Sequence, residues 1–261
     1  MRDPLPTQHA KIIQSFKRSL SGYHENAVVQ ADIAKTLMDH FLRTAERQTF
    51  SNVFEFGCST GHLTEQLISR LDIGALTAND LIEESQDCLS SITRKASLNL
   101  QFLSGAIEAL ELPEHLDLIA SSSTLQWIDD MPTLVDKLTN ALQPGGWLML
   151  STFAEHHFSE LQAIGSKAKA PSYMNAENLS ALCPDNLAVK FIDTQDIKIH
   201  FKSARAMLSH LRQTGVNGNA GQPWTRQKLL DFETEYEARF KDDTGIPLTY
   251  APIYFIAQKK A

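Results

Sequence analysis

Residues 50–61 read FSNVFEFGCSTG, and this stretch decides the fold. An apolar run ends at Gly57, Gly61 follows four residues later, and the next segment, HLTEQLISRL, carries apolar residues at helical spacing. Gly57 permits a positive φ in the turn, and Gly61 permits close approach of the backbone. Strand, glycine turn and helix form the unit from which doubly wound α/β sheets are built. The sequence therefore predicts a doubly wound, mostly parallel α/β sheet.

The glycine turn also predicts a ligand site, because N–H groups and the positive end of the next helix point into one crevice. A dinucleotide site would have glycine where Ser59 stands, and Glu55 in the strand would repel a phosphate. An acid followed by two spaced glycines resembles the first motif of class I S-adenosylmethionine-dependent methyltransferases. That resemblance implies that the turn holds the methionine part of the cofactor and that the acid faces its amine side. An ordinary strand-to-helix turn is the alternative.

The second strand, GALTAND, ends on Asp80, which lies 19 residues beyond Gly61. A carboxylate at this spacing is suited to accept both ribose hydroxyls, and a solvated acid at a strand end is the alternative. A third strand ends near Leu103, and the following GAIEALELP resembles the family's G-D-x-E-x-L-P segment beside adenine. Ala106 replaces the usual Asp there, which leaves the backbone N–H of Ile107 as the expected contact.

The segment HLDLIASSSTLQWIDD predicts a buried fourth strand with a polar end. It resembles the family phrase D-L-x-x-S-N-x-x-L-Q-W, with Ser122 where Asn is common. The next segment, MPTLVDKLTNALQPGGWLMLSTF, predicts a helix, a turn and a fifth strand that ends at Phe153.

Two helices are predicted over residues 8–46, the first of them ending at Ser21-Gly22. Tyr23, Ala27 and Gln30 match a Y-x-x-x-A-x-x-Q phrase of the malonyl-carrier-protein methyltransferases of biotin synthesis. Without that phrase, Tyr23 is typical of an aromatic residue that packs between helices.

Beyond Phe153 the pattern predicts two helices, a strand or bent hairpin over 186–201, and a helix with Gly215 as its C-cap. A further helix covers 225–240, and PLTYAPIYFIAQKK is predicted as one last strand, antiparallel at the sheet edge. The chain is predicted to be a single domain, with N-terminal helices 8–46, a core at 50–153 and cap inserts at about 155–185 and 200–245.

The net charge of −7 argues against bulk nucleic-acid binding, which needs a basic face. Two stretches contain Lys and Arg but no Asp or Glu: residues 4–24, with three Lys and Arg, and residues 197–230, with six. If they border the site, they would steer an anionic substrate or an acidic carrier, and a solvated basic face is the alternative. Within the second stretch, HLRQTGVNG resembles the family's L-K/R-x-T-G-x-N phrase.

The three cysteines, Cys58, Cys88 and Cys183, are scattered and form no disulfide or metal-binding pattern. The N-terminus has no apolar segment typical of a signal peptide, and no apolar stretch approaches the length of a membrane span. A cytoplasmic protein without a metal is expected.

The resemblance implies methyl transfer from S-adenosylmethionine to the free carboxylate of malonyl-acyl carrier protein, or malonyl-coenzyme A, early in biotin synthesis. Such a carboxylate is already ionised, so no catalytic base is expected, and Tyr23 is the candidate for alignment. The expected cofactor-binding residues are Tyr23, Gln30, Glu55, Gly57, Ser59, Gly61, Asp80, Leu81, Ala106, Ile107, Ser121 and Gln126. The expected substrate-binding residues are Trp127, Arg205 and Arg212.

Two alternatives remain open from the sequence. One is a methyltransferase of another small acid or of a quinone-type substrate, although C-methylation would need a base that does not stand out. The other is a non-catalytic methyltransferase-like binding subunit, which the departures from the family pattern at Ser59, Ala106 and Ser122 leave open.

Overall fold

The computed structural model describes residues 7–166, 170–215 and 225–261. The helices are α1 (Thr7–Asn26), α2 (Val28–Ala45), α3 (His62–Arg70), α4 (Ser85–Lys95), α5 (Met131–Ala141), α6 (Ser159–Ala163), α7 (Ala176–Ala181), α8 (Ala204–Gln213) and α9 (Arg226–Phe240). The strands are β1 (Thr49–Phe56), β2 (Asp72–Asp80), β3 (Leu100–Ser104), β4 (Leu116–Ser122), β5 (Leu142–Phe153), β6 (Leu187–Thr194), β7 (Ile197–Phe201), β8 (Ile246–Tyr250) and β9 (Pro252–Lys259). Among these residues, no helix combines the length and the apolar composition that crossing a bilayer requires.

The main sheet has seven strands in the order β3-β2-β1-β4-β5-β9-β6. Strands β1 to β5 pair in parallel, and β9 is antiparallel to both of its neighbours, β5 and β6. The strand order reverses between β1 and β4, which makes that point the topological switch where α/β sheets bind ligands. The predicted fold class is confirmed.

Apolar runs explain the central strands. In β1 the side chains from Val53 to Phe56 are all buried, and in β4 every residue before Ser122 is buried. Parallel strands covered on both faces have such continuous apolar runs. On one face Phe41 of α2 packs against Phe50 and Trp147, with ring centroids 5.7 and 5.9 Å apart.

The chain divides into two compact units. The sheet unit contains residues 28–155, 171–194 and 252–261, and therefore the whole seven-stranded sheet with α2–α5 and α7. The helical unit contains the described parts of residues 1–27, 156–170 and 195–251. Within it, β7 and β8 form a separate two-stranded antiparallel sheet with α1, α6, α8 and α9. A single domain with cap inserts stays a prediction.

The predicted end of the first helix is wrong, because α1 continues through Ser21-Gly22 to Asn26. The Asn26 side-chain amide donates to the Gly22 carbonyl at 2.6 Å, one turn back in the helix. A single glycine costs a helix only about 1 kcal/mol, and it therefore need not end one.

The C-terminal segment forms two strands in place of the single strand predicted. Strand β8 pairs with β7, whereas β9 lies between β5 and β6 in the main sheet, so that β6 is the outermost strand. The break falls at Ala251, whose N–H donates to His157 Nδ1 at 3.1 Å, and Pro252 has no N–H to offer a ladder. The antiparallel pairing of the last strand is confirmed. The predicted C-cap of α8 is one residue too late, because Thr214 is the C-cap and Gly215, with a φ of 71°, follows it.

One buried carboxylate ties the amino edge of the sheet together. Asp117 of β4 accepts the N–H groups of Ser51 and Asn52, both at 3.0 Å, an Arg47 guanidinium N–H at 2.8 Å and the Gln143 amide at 2.7 Å. Asp117 is 3% exposed, so these four donors replace the water that its charge would otherwise bind.

Candidate active site

The glycine turn lies at the carboxyl end of β1, at the switch point of the sheet. Gly57 has a φ of 66°, and its carbonyl accepts the Thr124 hydroxyl at 3.4 Å. A Cβ at Gly57 would overlap the Thr124 side chain, and a Cβ at Gly61 (φ 95°) would overlap Ile92. Gly57 is therefore required by conformation and by space, and Gly61 by its positive φ.

Asp80, at the end of β2, holds the same turn from the other side. One carboxylate oxygen accepts the Ser59 N–H at 2.7 Å, and the other accepts the Ile82 N–H at 2.8 Å. Burial raises the pKa of Asp80 to about 6. The hydrogen bonds from these two N–H groups and from that of Leu81 act in the opposite direction, because they stabilise the carboxylate. The predicted ribose carboxylate and the predicted turn are therefore in direct contact.

Glu55 lies beneath the turn and is 1% exposed. Its carboxylate accepts the Thr64 hydroxyl of α3 at 2.7 Å. Burial raises the pKa of Glu55 to about 8, the Thr64 hydroxyl lowers it, and the nearby charge of Asp80 raises it further. Among the described residues, no cationic side chain pairs with Glu55 or Asp80. The two acids are thus buried at this end of the sheet without a compensating cation among the described residues, and burial disfavours their ionised forms.

A third turn, at the end of β3, is fixed to β2. The Gly105 N–H donates to the Asp80 carbonyl at 3.0 Å, and the Asn79 side-chain amide donates to the Leu103 and Gly105 carbonyls, both at 2.8 Å. Ala106 is half-buried and precedes the short 3₁₀ turn Ile107–Ala109.

The end of β4 and the turn that follows it carry the remaining predicted residues of the sheet unit at this edge, apart from Gln30. The Ser121 hydroxyl donates to the Phe56 carbonyl at 2.8 Å, which joins β4 to β1 beside the glycine turn. Gln126 is buried in the 3₁₀ turn Leu125–Trp127, where its amide donates to the Ser123 carbonyl at 2.6 Å. Its side-chain carbonyl has no hydrogen-bond partner in the described chain. Trp127 is half-buried in the same turn, and the Ser122 hydroxyl bonds that of Ser151 at 3.0 Å.

Other predicted site residues lie elsewhere in the chain. Gln30 belongs to α2 of the sheet unit and is buried, and its side-chain oxygen has no partner among the described residues. Tyr23, Arg205 and Arg212 belong to the helical unit. Tyr23 is 9% exposed and packs edge-on against the Phe16 ring, 6.4 Å between centroids.

The two predicted arginines of α8 differ in their contacts. Both are exposed, but Glu233 of α9 binds the Arg205 guanidinium through two hydrogen bonds of 2.7 and 3.1 Å. Arg212 forms no ion pair with any described residue. The side chains of Lys11 and Arg18, and residues 216–218 of the HLRQTGVNG phrase, lie outside the described residues.

The structure thus brings together, through hydrogen bonds and turns, the following predicted residues of the sheet unit: Glu55, Gly57, Ser59, Gly61, Asp80, Leu81, Ala106, Ile107, Ser121 and Gln126. Sequence reasoning missed three side chains that hold them: Thr64, Asn79 and Lys137. The Lys137 ammonium donates to the carbonyls of Ile107 and Glu108, both at 3.0 Å. A signal for Asn79 exists, since it directly precedes the predicted Asp80.

Comparison with known proteins gives one family match and many relatives. Residues 54–150 match the model of the methyltransferase domain family. A malonyl-[acyl-carrier protein] O-methyltransferase of Chlorobium luteolum is 34% identical over 256 residues, 97% of each chain. One of Acinetobacter baylyi is 34% identical over 252 residues, 95% of this chain and 96% of the relative.

Solved structures share the fold at low sequence identity. A putative methyltransferase of Bacillus halodurans covers 86% of this chain and 99% of its own, with a TM-score of 0.63 and 13% identity. The N-methyltransferase NodS of Bradyrhizobium japonicum, solved with S-adenosyl-L-homocysteine, covers 96% of this chain and 100% of its own, with a TM-score of 0.52 and 14% identity.

Proposed function

The chain belongs to the malonyl-[acyl-carrier protein] O-methyltransferase family, and we propose that it methylates the free carboxylate of a malonyl thioester on acyl carrier protein with S-adenosylmethionine. The relatives match over almost the whole chain, so the proposal covers both units and not the methyltransferase domain alone. The step is an early one in biotin synthesis.

The residues of the sheet unit fit this cofactor. S-adenosylmethionine carries positive charge and a ribose, whereas Glu55 and Asp80 are buried acids without a cationic partner in the described chain. The side-chain oxygen of Gln126, in the turn that follows β4, is a further acceptor without a partner among the described residues. A buried acceptor without a partner is costly, and a ligand donor removes that cost.

We assign the following roles on this basis. The turn from Gly57 to Gly61 holds the methionine part, with Glu55 beneath it and Gln126 beside it. Asp80 accepts the ribose hydroxyls through lone pairs that the N–H groups of Ser59 and Ile82 leave free. The backbone of Ala106 and Ile107 contacts the adenine. When bound, the cofactor supplies an electrophilic methyl group.

The chain need not supply a base. The pKa of a carboxylic acid, about 4, leaves the substrate ionised at neutral pH. The remaining tasks are to align the carboxylate and to exclude water, which stabilises charged reactants more than a neutral ester. Tyr23 and Trp127 are proposed for alignment. Arg212 is proposed to bind the substrate carboxylate in preference to Arg205, because Glu233 already binds the Arg205 guanidinium.

The charge of the helical unit supports an acidic carrier as the partner. Lys198 and Lys202 are exposed on and beside β7, and Arg226 and Lys228 are exposed in the first turn of α9. Exposed positive charge steers acidic partners and raises association rates, an effect that salt weakens. We therefore expect a lower KM for carrier-bound malonyl than for malonyl-coenzyme A, with the difference shrinking at high salt.

One observation carries the proposal: the glycine turn, the Gly105 turn and Gln126 lie at the carboxyl edge of the sheet with Glu55 and Asp80, two buried acids that have no cationic partner among the described residues. The test is transfer of labelled methyl from S-adenosylmethionine to malonyl-acyl carrier protein, malonyl-coenzyme A and free malonate. Labelling of the malonyl thioesters supports the proposal. Labelling of free malonate alone would favour another small-acid methyltransferase. Binding of S-adenosylhomocysteine without any transfer would favour a non-catalytic subunit.

A further inference from the structure

Asn79 connects two of the turns at the carboxyl edge. Its backbone carbonyl accepts the Cys58 N–H of the glycine turn at 3.1 Å. Its side-chain amide uses both hydrogens on the carbonyls of Leu103 and Gly105, each at 2.8 Å. Asn79 is 2% exposed, so these bonds are not shared with water. One residue of β2 therefore fixes the glycine turn of β1 and the turn that follows β3.

The geometry of the Gly105 turn depends on these contacts. Gly105 has a φ of 136°, a conformation open to glycine and rare for other residues. The Asn79 amide and the Asp80 carbonyl hold it from β2, and the Lys137 ammonium of α5 binds the carbonyls of Ile107 and Glu108 from the other side. The carbonyls of this turn are thereby occupied. The N–H groups of Ala106 and Ile107 form no hydrogen bond to another described residue.

Strand order assigns this turn to one end of the cofactor. The neighbouring strands are β4, β1, β2 and β3, and the proposed methionine and ribose positions occupy the first three. A ligand whose parts follow one another in a line then reaches the end of β3 with its base. Because residue 106 is alanine, no side chain there can recognise the exocyclic amine, and base recognition falls to the backbone.

We infer that Asn79 and Lys137 are positioning residues that set base selectivity by holding the backbone of Ala106 and Ile107 in place, without touching the cofactor. This rests on the proposed function. In adenine N1 is an acceptor, so a backbone N–H can donate to it. In hypoxanthine N1 carries a hydrogen, so the same N–H would face another donor. The chain should therefore prefer S-adenosylhomocysteine to S-inosylhomocysteine, and loosening of the turn should reduce that preference.

The test is calorimetric binding of both compounds to the full chain. Asn79→Ala is expected to weaken S-adenosylhomocysteine binding about tenfold, the size of one well-placed hydrogen bond, and S-inosylhomocysteine binding by less than about threefold. Lys137→Met, at a half-buried site that should tolerate the change, is expected to act in the same direction with a smaller loss. Lys137→Arg keeps charged N–H donors and is expected to restore the preference.

Gln258→Ala is the matched control, because its amide also holds a glycine of positive φ, donating at 3.1 Å to the carbonyl of Gly145 near the amino end of β5. It should lower thermal stability and leave the preference unchanged. Equal losses for both compounds in Asn79→Ala and Lys137→Met, or a changed preference in Gln258→Ala, would overturn the inference while leaving the proposed function intact. A wild-type chain that binds neither compound would overturn both.

Discussion

At the amino edge of the main sheet, Asp117 is a buried acid with four donors, one of them the Arg47 guanidinium. At the carboxyl edge of the same sheet, Glu55 and Asp80 are equally buried, yet their partners among the described residues are hydroxyl and N–H groups without charge. Asp117 is therefore satisfied within the chain, whereas the two acids at the carboxyl edge have no cationic partner among the described residues and are available to a cationic ligand. Buried polar groups stabilise a fold when satisfied and serve binding when they are not.

The largest difference between the two edges is expected when a glycine at each edge is replaced by valine. Gly57→Val should weaken S-adenosylhomocysteine binding about 1,000-fold or more (~4 kcal/mol), since the new side chain overlaps Thr124 and strains a positive φ. Gly145→Val at the amino edge has a similar φ of 79° and open space around its Cβ. It should lower the melting temperature and spare calorimetric affinity. Unchanged affinity in Gly57→Val would refute the site.

The second prediction concerns pH. The pKa of Glu55 is raised from 4.5 to about 8, so the folded chain without ligand binds a proton there that the unfolded chain loses. Stability should therefore fall as pH rises from about 5 to about 8, by up to ~3 kcal/mol, with Asp80 adding to the decline below about pH 6. Urea denaturation at several pH values measures this.

Glu55→Gln should flatten that pH dependence between about pH 6 and pH 8, because the amide has no proton to lose, and should leave the contribution of Asp80 below about pH 6. Asp117→Asn serves as the control and should leave the slope in place while lowering stability at every pH. A slope that persists between about pH 6 and pH 8 in Glu55→Gln would show that Glu55 is not its source.

The third prediction addresses the amino edge. Asp117→Ala removes the acceptor of two backbone N–H groups and two side chains, and should cost about 2 kcal/mol of unfolding free energy. The affinity for S-adenosylhomocysteine, measured by calorimetry on the folded variant, should change by less than about twofold. A larger loss of affinity would mean that the two edges are coupled.

The smallest effect is expected at Arg212. Arg205 has a charged partner in the described chain and Arg212 does not, so the two arginines repeat for cations the contrast between the acids of the two edges. Arg212→Ala should raise KM for a malonyl thioester about tenfold with little change in kcat at saturation, because an ion pair to the carboxylate stabilises the reactant as well. Arg205→Ala is the matched variant, and should change KM by less than about twofold because Glu233 already occupies that guanidinium. An equal loss of kcat and kcat/KM in Arg212→Ala would mean that its role is misassigned.

The sequence predicts those parts of the fold and site that depend on local pattern. Gly57, Gly61 and Asp80 follow their strands directly, and their spacing is a property of one strand-turn-helix-strand unit. The parallel strands are recognisable because their apolar runs are continuous. In the structure Asp80 accepts the N–H of Ser59, which lies in the turn between the two glycines.

Long-range partners are what the sequence does not predict. The Asn79 side chain donates to carbonyls 24 and 26 residues further along the chain, and the local sequence around Asn79 does not predict these hydrogen bonds. The same is true of Asp117, whose backbone partners lie 65 and 66 residues away. The division of the last segment at Ala251 depends on a histidine 94 residues earlier. Local propensity favours one continuous strand there, whereas tertiary hydrogen bonds divide the segment into two strands.

The position of β9 between β5 and β6 has a consequence for synthesis on the ribosome. Strand β6 is made before β7, α8, α9 and β8, but its neighbour in the sheet is made only after all of them. During translation β6 therefore has no hydrogen-bonded neighbour until β9 is made, and the backbone N–H and C=O groups on one side of β5 are unpaired over the same period. A nascent chain stalled before Pro252 should expose both strands to chaperones and to aggregation.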